Sequence, residues 1–243
     1  MYEKISIYKT AYDNVTLSEA ATLARELMEE EKNHIVVTPN AEIAYLAAND
    51  DRLGTTINAA DIVVADGVGV VLASKIYGTP VKQKVAGVEL GEEVLKFASD
   101  EKIPVFFLGA KPGVAELAAA RMSEKYINLN FVGLRDGYFE DSEEVVDEIN
   151  RSGAKILFVC LGAPKQELWA AKYQESLENV RLTLCLGGAL DSYAGTVKRA
   201  PEIWIKLGLE WLYRLIKEPR RFKRMLALPK YMFAVIFDSM RKR

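Results

Sequence analysis

The strongest constraint on this chain is an alternation of two patterns. Short apolar runs, rich in β-branched residues, are separated by longer segments with helical periodicity. HIVV (34–37), DIVVA (61–65), PVFFLG (104–109), ILFVCLG (156–162) and LTLCLGG (182–188) have no polar face to turn toward water. Such runs are strands buried on both sides. Between them lie LSEAATLARELMEEEK (17–32), GVAELAAARMSEKY (113–126) and PKQELWAAKYQ (164–174). The first follows Thr16-x-x-Glu19, a capping box, and the third opens on a proline suited to a first helical position. Buried strands joined by amphipathic helices predict a parallel sheet with helices on both faces.

That arrangement is a Rossmann-like α/β fold, expected over residues 1–200. In such folds ligands bind where the carboxyl ends of the strands run into helix N-termini. The chain is most unusual in these loops: VVTPNAE (36–42), VVADGVG (63–69), FLGAKPG (107–113), CLGAPKQE (160–167) and CLGGALDSYAG (185–195). Gly109, Gly162, Gly187 and Gly188 would let a ligand approach backbone N–H groups at the positive end of a helix, and a diphosphate suits that environment. Glycine also simply makes tight turns. Neither a G-x-G-x-x-G fingerprint nor a G-x-x-x-x-G-K-[ST] loop occurs, which argues against hydride transfer and P-loop chemistry.

The chemically able side chains are few. His34 is the sole histidine and precedes a strand, so it is expected to be structural and metal sites are expected to be absent. No D-x-D motif is present to bridge a nucleotide sugar through a metal. Carboxylates and amides at strand tips remain. Asp66 ends DIVVAD beside Gly67, where it either projects into a pocket or caps the next helix. Thr38 and Asn40 follow HIVV, either to orient a sugar hydroxyl or to shape a turn with Pro39. Gln166 and Asp191 occupy two further strand-end loops, with local capping as their alternative.

Charge divides the chain. It holds 32 Lys+Arg against 34 Asp+Glu, a net −2. Residues 201–243 hold 11 basic and 4 acidic residues, so the tail carries +7 and the rest −9. On a helix, Lys206, Glu210, Arg214 and Lys217 form one polar stripe, and nearly everything else from 203 to 217 is apolar. The surplus apolar face would meet a second copy of the chain, a membrane or a lipid. Arg220, Arg221, Lys223 and Arg224 follow, interleaved with Phe222 and Met225, a mixture suited to an anionic bilayer surface. Ordinary core packing is the plainer alternative. An acidic body argues against nucleic acid. Cys160 and Cys185 lie in apolar runs, as reduced buried thiols do. MYEKISIYKT is too charged for a secretory signal, and no run reaches the length of a membrane span.

TPNAE, ADGVGVV, KVAGVEL, FLGAKPG, DGYF, LGAPKQELW, LGGALDSYAGTVKRAPE and GLEWLYRLIKEPRR occur in that order over residues 34 to 226. This constellation resembles the TagA/WecG/CpsF glycosyltransferases, most of all their teichoic-acid branch. The resemblance implies inverting, metal-independent transfer of N-acetylmannosamine from UDP-N-acetylmannosamine to undecaprenyl-diphosphate-linked N-acetylglucosamine. It implies no cofactor and a peripheral place on the cytoplasmic face of the membrane. It matches Asp66 to the family's proposed base, and Thr38, Asn40 and Gln166 to its pocket. Lys84 and Glu89 stand where Arg and Asp are usual, and CLGGAL departs from the commoner G-V-G-G. Lysine keeps the charge of arginine but loses its bidentate fork. Arg214, Arg221 and Arg224 are expected to fold over the pocket and clasp a diphosphate.

Overall fold

The computed structural model describes residues 2–197 and, beyond them, residues 201, 203–204, 209–217, 222 and 226–241. A hairpin, β1 (Lys4–Ile7) and β2 (Thr10–Asp13), opens the chain, followed by α1 (Leu17–Leu27), β3 (His34–Val37), α2 (Ala41–Asn49) and α3 (Asp51–Ala59). Next come β4 (Ile62–Val63), α4 (Gly67–Ile76), α5 (Gly87–Glu101), β5 (Pro104–Gly109), α6 (Val114–Lys125) and β6 (Asn130–Arg135). The rest of the body is α7 (Ser142–Ser152), β7 (Ile156–Cys160), α8 (Lys165–Tyr173), β8 (Leu182–Cys185) and α9 (Ala189–Tyr193). Beyond it, α10 (Glu210–Lys217) and α11 (Ala227–Arg241) are described.

Six strands form a parallel sheet in the order β4-β3-β8-β7-β5-β6. All five predicted strands belong to it. Alternate side chains of each strand enter two separate cores, as the continuous apolar runs demand. One core joins Ile35, Val37, Phe106 and Val159 to α2, α3, α4, α7, α8 and α11. The other joins Val36, Phe107, Phe158 and Leu184 to α1, α5, α6 and α9. Phe106 and Phe107 are neighbours on β5, yet both are fully buried, one in each core. Burying a side chain of that size stabilises the fold by about 1.5–3 kcal/mol.

The capping box forms as predicted. Thr16 N donates to Glu19 Oε2 at 2.7 Å, and Glu19 N donates to Thr16 Oγ1 at 3.2 Å. Helix α1 ends at Leu27 rather than at residue 32. Glu29, Glu30 and Glu31 would crowd like charges against the negative end of the helix dipole. Pro164 stands at the N-cap of α8 rather than at its first helical position. The sequence reading missed β6 and the β1–β2 hairpin. Asp13 of that hairpin accepts from Val63 N at 2.8 Å, which covers the exposed edge of β4 with a side chain.

His34 is structural: fully buried, with Nδ1 2.9 Å from Asp61 Oδ1, at the amino end of β3. Within residues 201–243, expected as a helical appendage, α11 packs on α2 and α4 and sinks Tyr231 and Val235 completely into the first core. Tyr77 donates its hydroxyl to Asp238 on the same helix. Met232 and Leu228 lie against the core, whereas Phe233, Ile236, Phe237 and Met240 are exposed.

Candidate active site

Parallel register puts the candidate residues on one rim. Val63, Val37, Cys185, Val159 and Leu108 pair in turn across β4, β3, β8, β7 and β5, so the five strands end level. Asp66, Thr38, Asn40, Asp191, Gln166 and the four loop glycines all follow these ends. Five helices starting along the same side of the sheet, α4, α5, α6, α8 and α9, have no side-chain cap. Two others that follow strand ends, α2 and α7, are capped by Asn40 and Asp141, as α1 and α3 are by Thr16 and Asp50. Uncapped helix starts direct N–H groups and a positive dipole end toward whatever binds, and favour an anion.

Asp66 occupies the N-cap position of α4 but makes no capping bond there, so the local alternative for this residue is not realised. Its Oδ2 instead lies 3.4 Å from the N–H of Gly87, the first residue of α5. A Cβ on Gly87 would fall 2.8 Å from Thr38 Oγ1. Only glycine therefore lets the start of α5 approach Thr38 this closely. Asp66, Thr38 and the N-terminus of α5 thus converge. Val85 N donates to Ala65 O at 2.9 Å, which holds the segment carrying Lys84 beside the Asp66 loop. Glu89 lies in the first turn of α5. Gly87 was not singled out from sequence, although its place between an apolar dipeptide and a helical pattern marks a backbone approach.

The other candidates divide. Asn40 caps α2 through its Oδ1, 3.1 Å from Ile43 N, and its Cβ faces Gly67 beside Asp66. The capping alternative is realised without removing Asn40 from the rim. Gln166 is almost fully buried. Its Oε1 accepts from Gly162 N at 3.2 Å and from Gly187 N at 2.9 Å, so one amide staples the loops after β7 and β8 together. Side chains added at Gly162, Gly187 or Gly188 would enter open space. These loops present bare backbone along the rim. Gly109 differs: at φ 129°, a Cβ would strike the Cys160 carbonyl at 2.4 Å, so packing against β7 requires this glycine. Asp191 accepts from Thr196 Oγ1 at 3.2 Å within its own loop. The side chain of Arg214, and Arg221 and Arg224 altogether, lie outside the described residues.

Sequence reading also passed over Glu167. Only 2% exposed, it accepts from Gln166 Nε2 at 2.8 Å, and its Oε2 has no hydrogen-bond partner. Burial raises its carboxyl above the ordinary value. Burial likewise pushes the Cys160 thiol up to about 12, so both cysteines are inert core groups. Among the described residues no group of three His, Cys, Asp or Glu could hold a metal ion.

An open parallel sheet with an acidic residue among uncapped helix starts at its carboxyl rim has the geometry that suits a phosphorylated or nucleotide-linked ligand. The particular family follows from comparison. The family model described as the WecG/TagA/CpsF glycosyl transferase family matches residues 5–243, and the chain belongs to that family. It is a glycosyltransferase. It is 36% identical over 224 residues to a protein of Bacillus spizizenii W23, covering 92% of this chain and 87% of the relative. It is 33% identical over 239 residues to a protein of Bacillus subtilis 168, covering 98% and 93%. Both are named N-acetylglucosaminyldiphosphoundecaprenol N-acetyl-beta-D-mannosaminyltransferase.

The buried Glu167 generates a prediction about pH. A carboxyl whose folded pKa is raised stabilises the fold below its unfolded value, and that contribution is lost as pH rises through the folded value. Glu167→Gln keeps a carbonyl acceptor for Gln166 and cannot ionise. Thermal unfolding should show the variant and parent alike at acid pH, with the variant the more stable from neutral pH upward. Parallel curves for the two proteins across the whole range would show that Glu167 carries no such penalty.

Proposed function

We propose that the chain moves N-acetylmannosamine from UDP-N-acetylmannosamine to undecaprenyl-diphosphate-linked N-acetylglucosamine, with inversion, in linkage-unit synthesis for wall teichoic acid. The observation that carries this reading is the convergence of Asp66, Thr38 and the start of α5 on the rim. The names of the two relatives supply the substrates.

Asp66 acts as general base. Its carboxylate takes the proton of the acceptor hydroxyl as that oxygen forms a bond to the anomeric carbon. The bond from the anomeric carbon to the UDP oxygen breaks on the opposite face, which inverts the centre. Thr38 and Asn40 orient sugar hydroxyls beside the base. The departing diphosphate gathers charge near the uncapped starts of α4 and α5 and the bare backbone of Gly187 and Gly188. Lys84 adds a positive charge on the same side. Arg214, Arg221 and Arg224 complete the phosphate contacts when the tail closes over the rim. With one histidine and no D-x-D motif in the chain, helix dipoles and basic side chains stabilise the leaving group without a divalent ion.

The tail holds the enzyme on the cytoplasmic face of the membrane, where a polyprenyl acceptor resides. Among the described residues no helix is long and apolar enough to cross a bilayer. Phe233, Ile236, Phe237 and Met240 are spaced i, i+3, i+4 and i+7 on α11, and all are exposed. Ile203, Ile216, Phe222 and Leu226 add exposed apolar surface to a segment carrying +7. Such a surface lies in an anionic interface.

Two results are expected. Asp66→Asn should retain UDP affinity by calorimetry while turnover falls by about 100-fold or more, the usual scale for loss of a general base. Parental turnover in that variant would exclude Asp66 from the role. In flotation assays the protein should bind anionic vesicles in preference to neutral ones, more weakly as salt rises. Replacing Phe233 and Phe237 with serine should reduce that binding. Salt-independent binding to both vesicle types would refute the electrostatic part.

A further inference from the structure

Gln166 and Glu167 are consecutive residues in the first turn of α8, and both are almost wholly buried. Neighbours along a helix do not ordinarily face each other. Here the two side chains meet. Gln166 Nε2 donates to Glu167 Oε1 at 2.8 Å, while Glu167 Oε2 has no hydrogen-bond partner. A buried acceptor left unsatisfied destabilises a fold, and methionine would fill such a site without that cost. Packing alone does not account for a carboxyl at this position.

Its place in a chain of hydrogen bonds does. A side-chain amide has an acceptor end and a donor end. Gly162 N at 3.2 Å and Gly187 N at 2.9 Å both donate to Gln166 Oε1, so the amino end must find an acceptor on the other side. Glu167 supplies that acceptor from within the core. Exchanging the two ends would set both glycine N–H groups against a donor, and Glu167 Oε1 against the amide oxygen. Two further bonds close the arrangement. Gln166 N donates to Gly162 O at 3.0 Å, and Cys185 Sγ donates to Gln166 O at 3.6 Å. The loops after β7 and β8 are therefore tied at one oxygen, whose direction depends on Glu167. Along these loops an added Cβ at Gly162, Gly187 or Gly188 meets nothing.

We propose that Glu167 is a positioning residue for donor binding: by holding the amide of Gln166, it sets the spacing of the two loops that receive the donor diphosphate. This role rests on the rim as the diphosphate site. Without an acceptor at residue 167, Nε2 is left buried and unpaired, so the amide turns away or the two loops part to admit water. Either change misplaces the backbone of Gly187 and Gly188 relative to the uncapped start of α8. Asp66, Thr38 and Asn40 belong to the loops after β4 and β3, outside this tie. The loss therefore falls on the nucleotide sugar and spares the acceptor.

The test compares Glu167→Met, Glu167→Leu, Glu167→Gln and Gly188→Val in the full chain. Calorimetry gives the Kd for UDP, kinetics with a short-chain lipid-diphosphate acceptor give the KM of each substrate, and thermal unfolding gives Tm. Glu167→Met and Glu167→Leu remove the acceptor. Each should raise the Kd for UDP and the KM for UDP-sugar about 10-fold, the scale of one unsatisfied buried partner, with the KM of the acceptor unchanged. Glu167→Gln keeps a carbonyl for Nε2 and should recover most of the affinity. Gly188→Val adds a side chain to the bare rim at an ordinary φ of −86°, and should also weaken UDP binding. A merely structural Glu167 would show as unfolding of both apolar variants, or as a lower Tm with parental Kd, and either result overturns the proposal. Equal losses in Glu167→Met and Glu167→Gln would overturn it too, because charge and not an acceptor would then be at issue. Weakened binding in Gly188→Val with parental Kd in Glu167→Met removes Glu167 from the role and leaves the rim standing. Parental Kd in Gly188→Val overturns the rim as the diphosphate site, and the positioning role with it.

Discussion

Backbone hydrogen bonding between parallel strands fixes where everything else can be. The pairing of Val63 with Val37, Val37 with Cys185, Cys185 with Val159 and Val159 with Leu108 ends five strands in one row. A slip of one residue in any pair would turn that strand's apolar set to the wrong core. Because both faces are buried, no such slip is tolerated. The same register that packs Phe106 and Phe107 into opposite cores therefore places Asp66, Thr38 and the loops after β7 and β8 on a common rim.

Two kinds of glycine then shape the rim. At Gly87 and Gly109 the neighbouring atoms forbid a side chain, because Thr38 and the Cys160 carbonyl occupy its place. These residues draw elements together. At Gly162, Gly187 and Gly188 a side chain would meet nothing. At Gly162 and Gly187 a positive φ, 78° and 56°, itself favours glycine, and at all three positions the missing side chain leaves the backbone bare. Gln166 bonds two of these loops through one oxygen, and Glu167 orients its amide from the core side. These loops are thus held from beneath by buried polar groups and left bare above, a surface suited to a diphosphate.

Much of this was legible in the sequence because the physics was local or periodic. Continuous apolar runs marked β3, β5, β7 and β8, and the Thr16–Glu19 spacing marked the start of α1. Strand β6 escaped because NFVGLR is half-exposed at the sheet edge, and its pattern lacks a continuous apolar run. The β1–β2 hairpin escaped because KISI and TAYD contain no continuous apolar run, and Asp13 acts through a partner fifty positions away. For the site, strand-end loops pointed to Asp66, Thr38 and Asn40. Nothing local could tell that Gly109 serves packing, that Gln166 is a staple, or that Glu167 is buried beside it. Nor could the tail's composition separate its roles: Tyr231 and Val235 belong to the core, whereas Phe233 and Phe237, two residues on from each, face outward.

The central claim is that this rim transfers a sugar from a nucleotide to a lipid-linked acceptor by base catalysis without a metal. The most direct measurement follows both products at once, using labelled UDP-N-acetylmannosamine and a short-chain acceptor bearing diphosphate-linked N-acetylglucosamine, with EDTA present throughout. Equal amounts of UDP and of a disaccharide with inverted anomeric configuration should appear. Binding of UDP with no disaccharide formed, or transfer that begins only when a divalent ion is restored, would contradict the account.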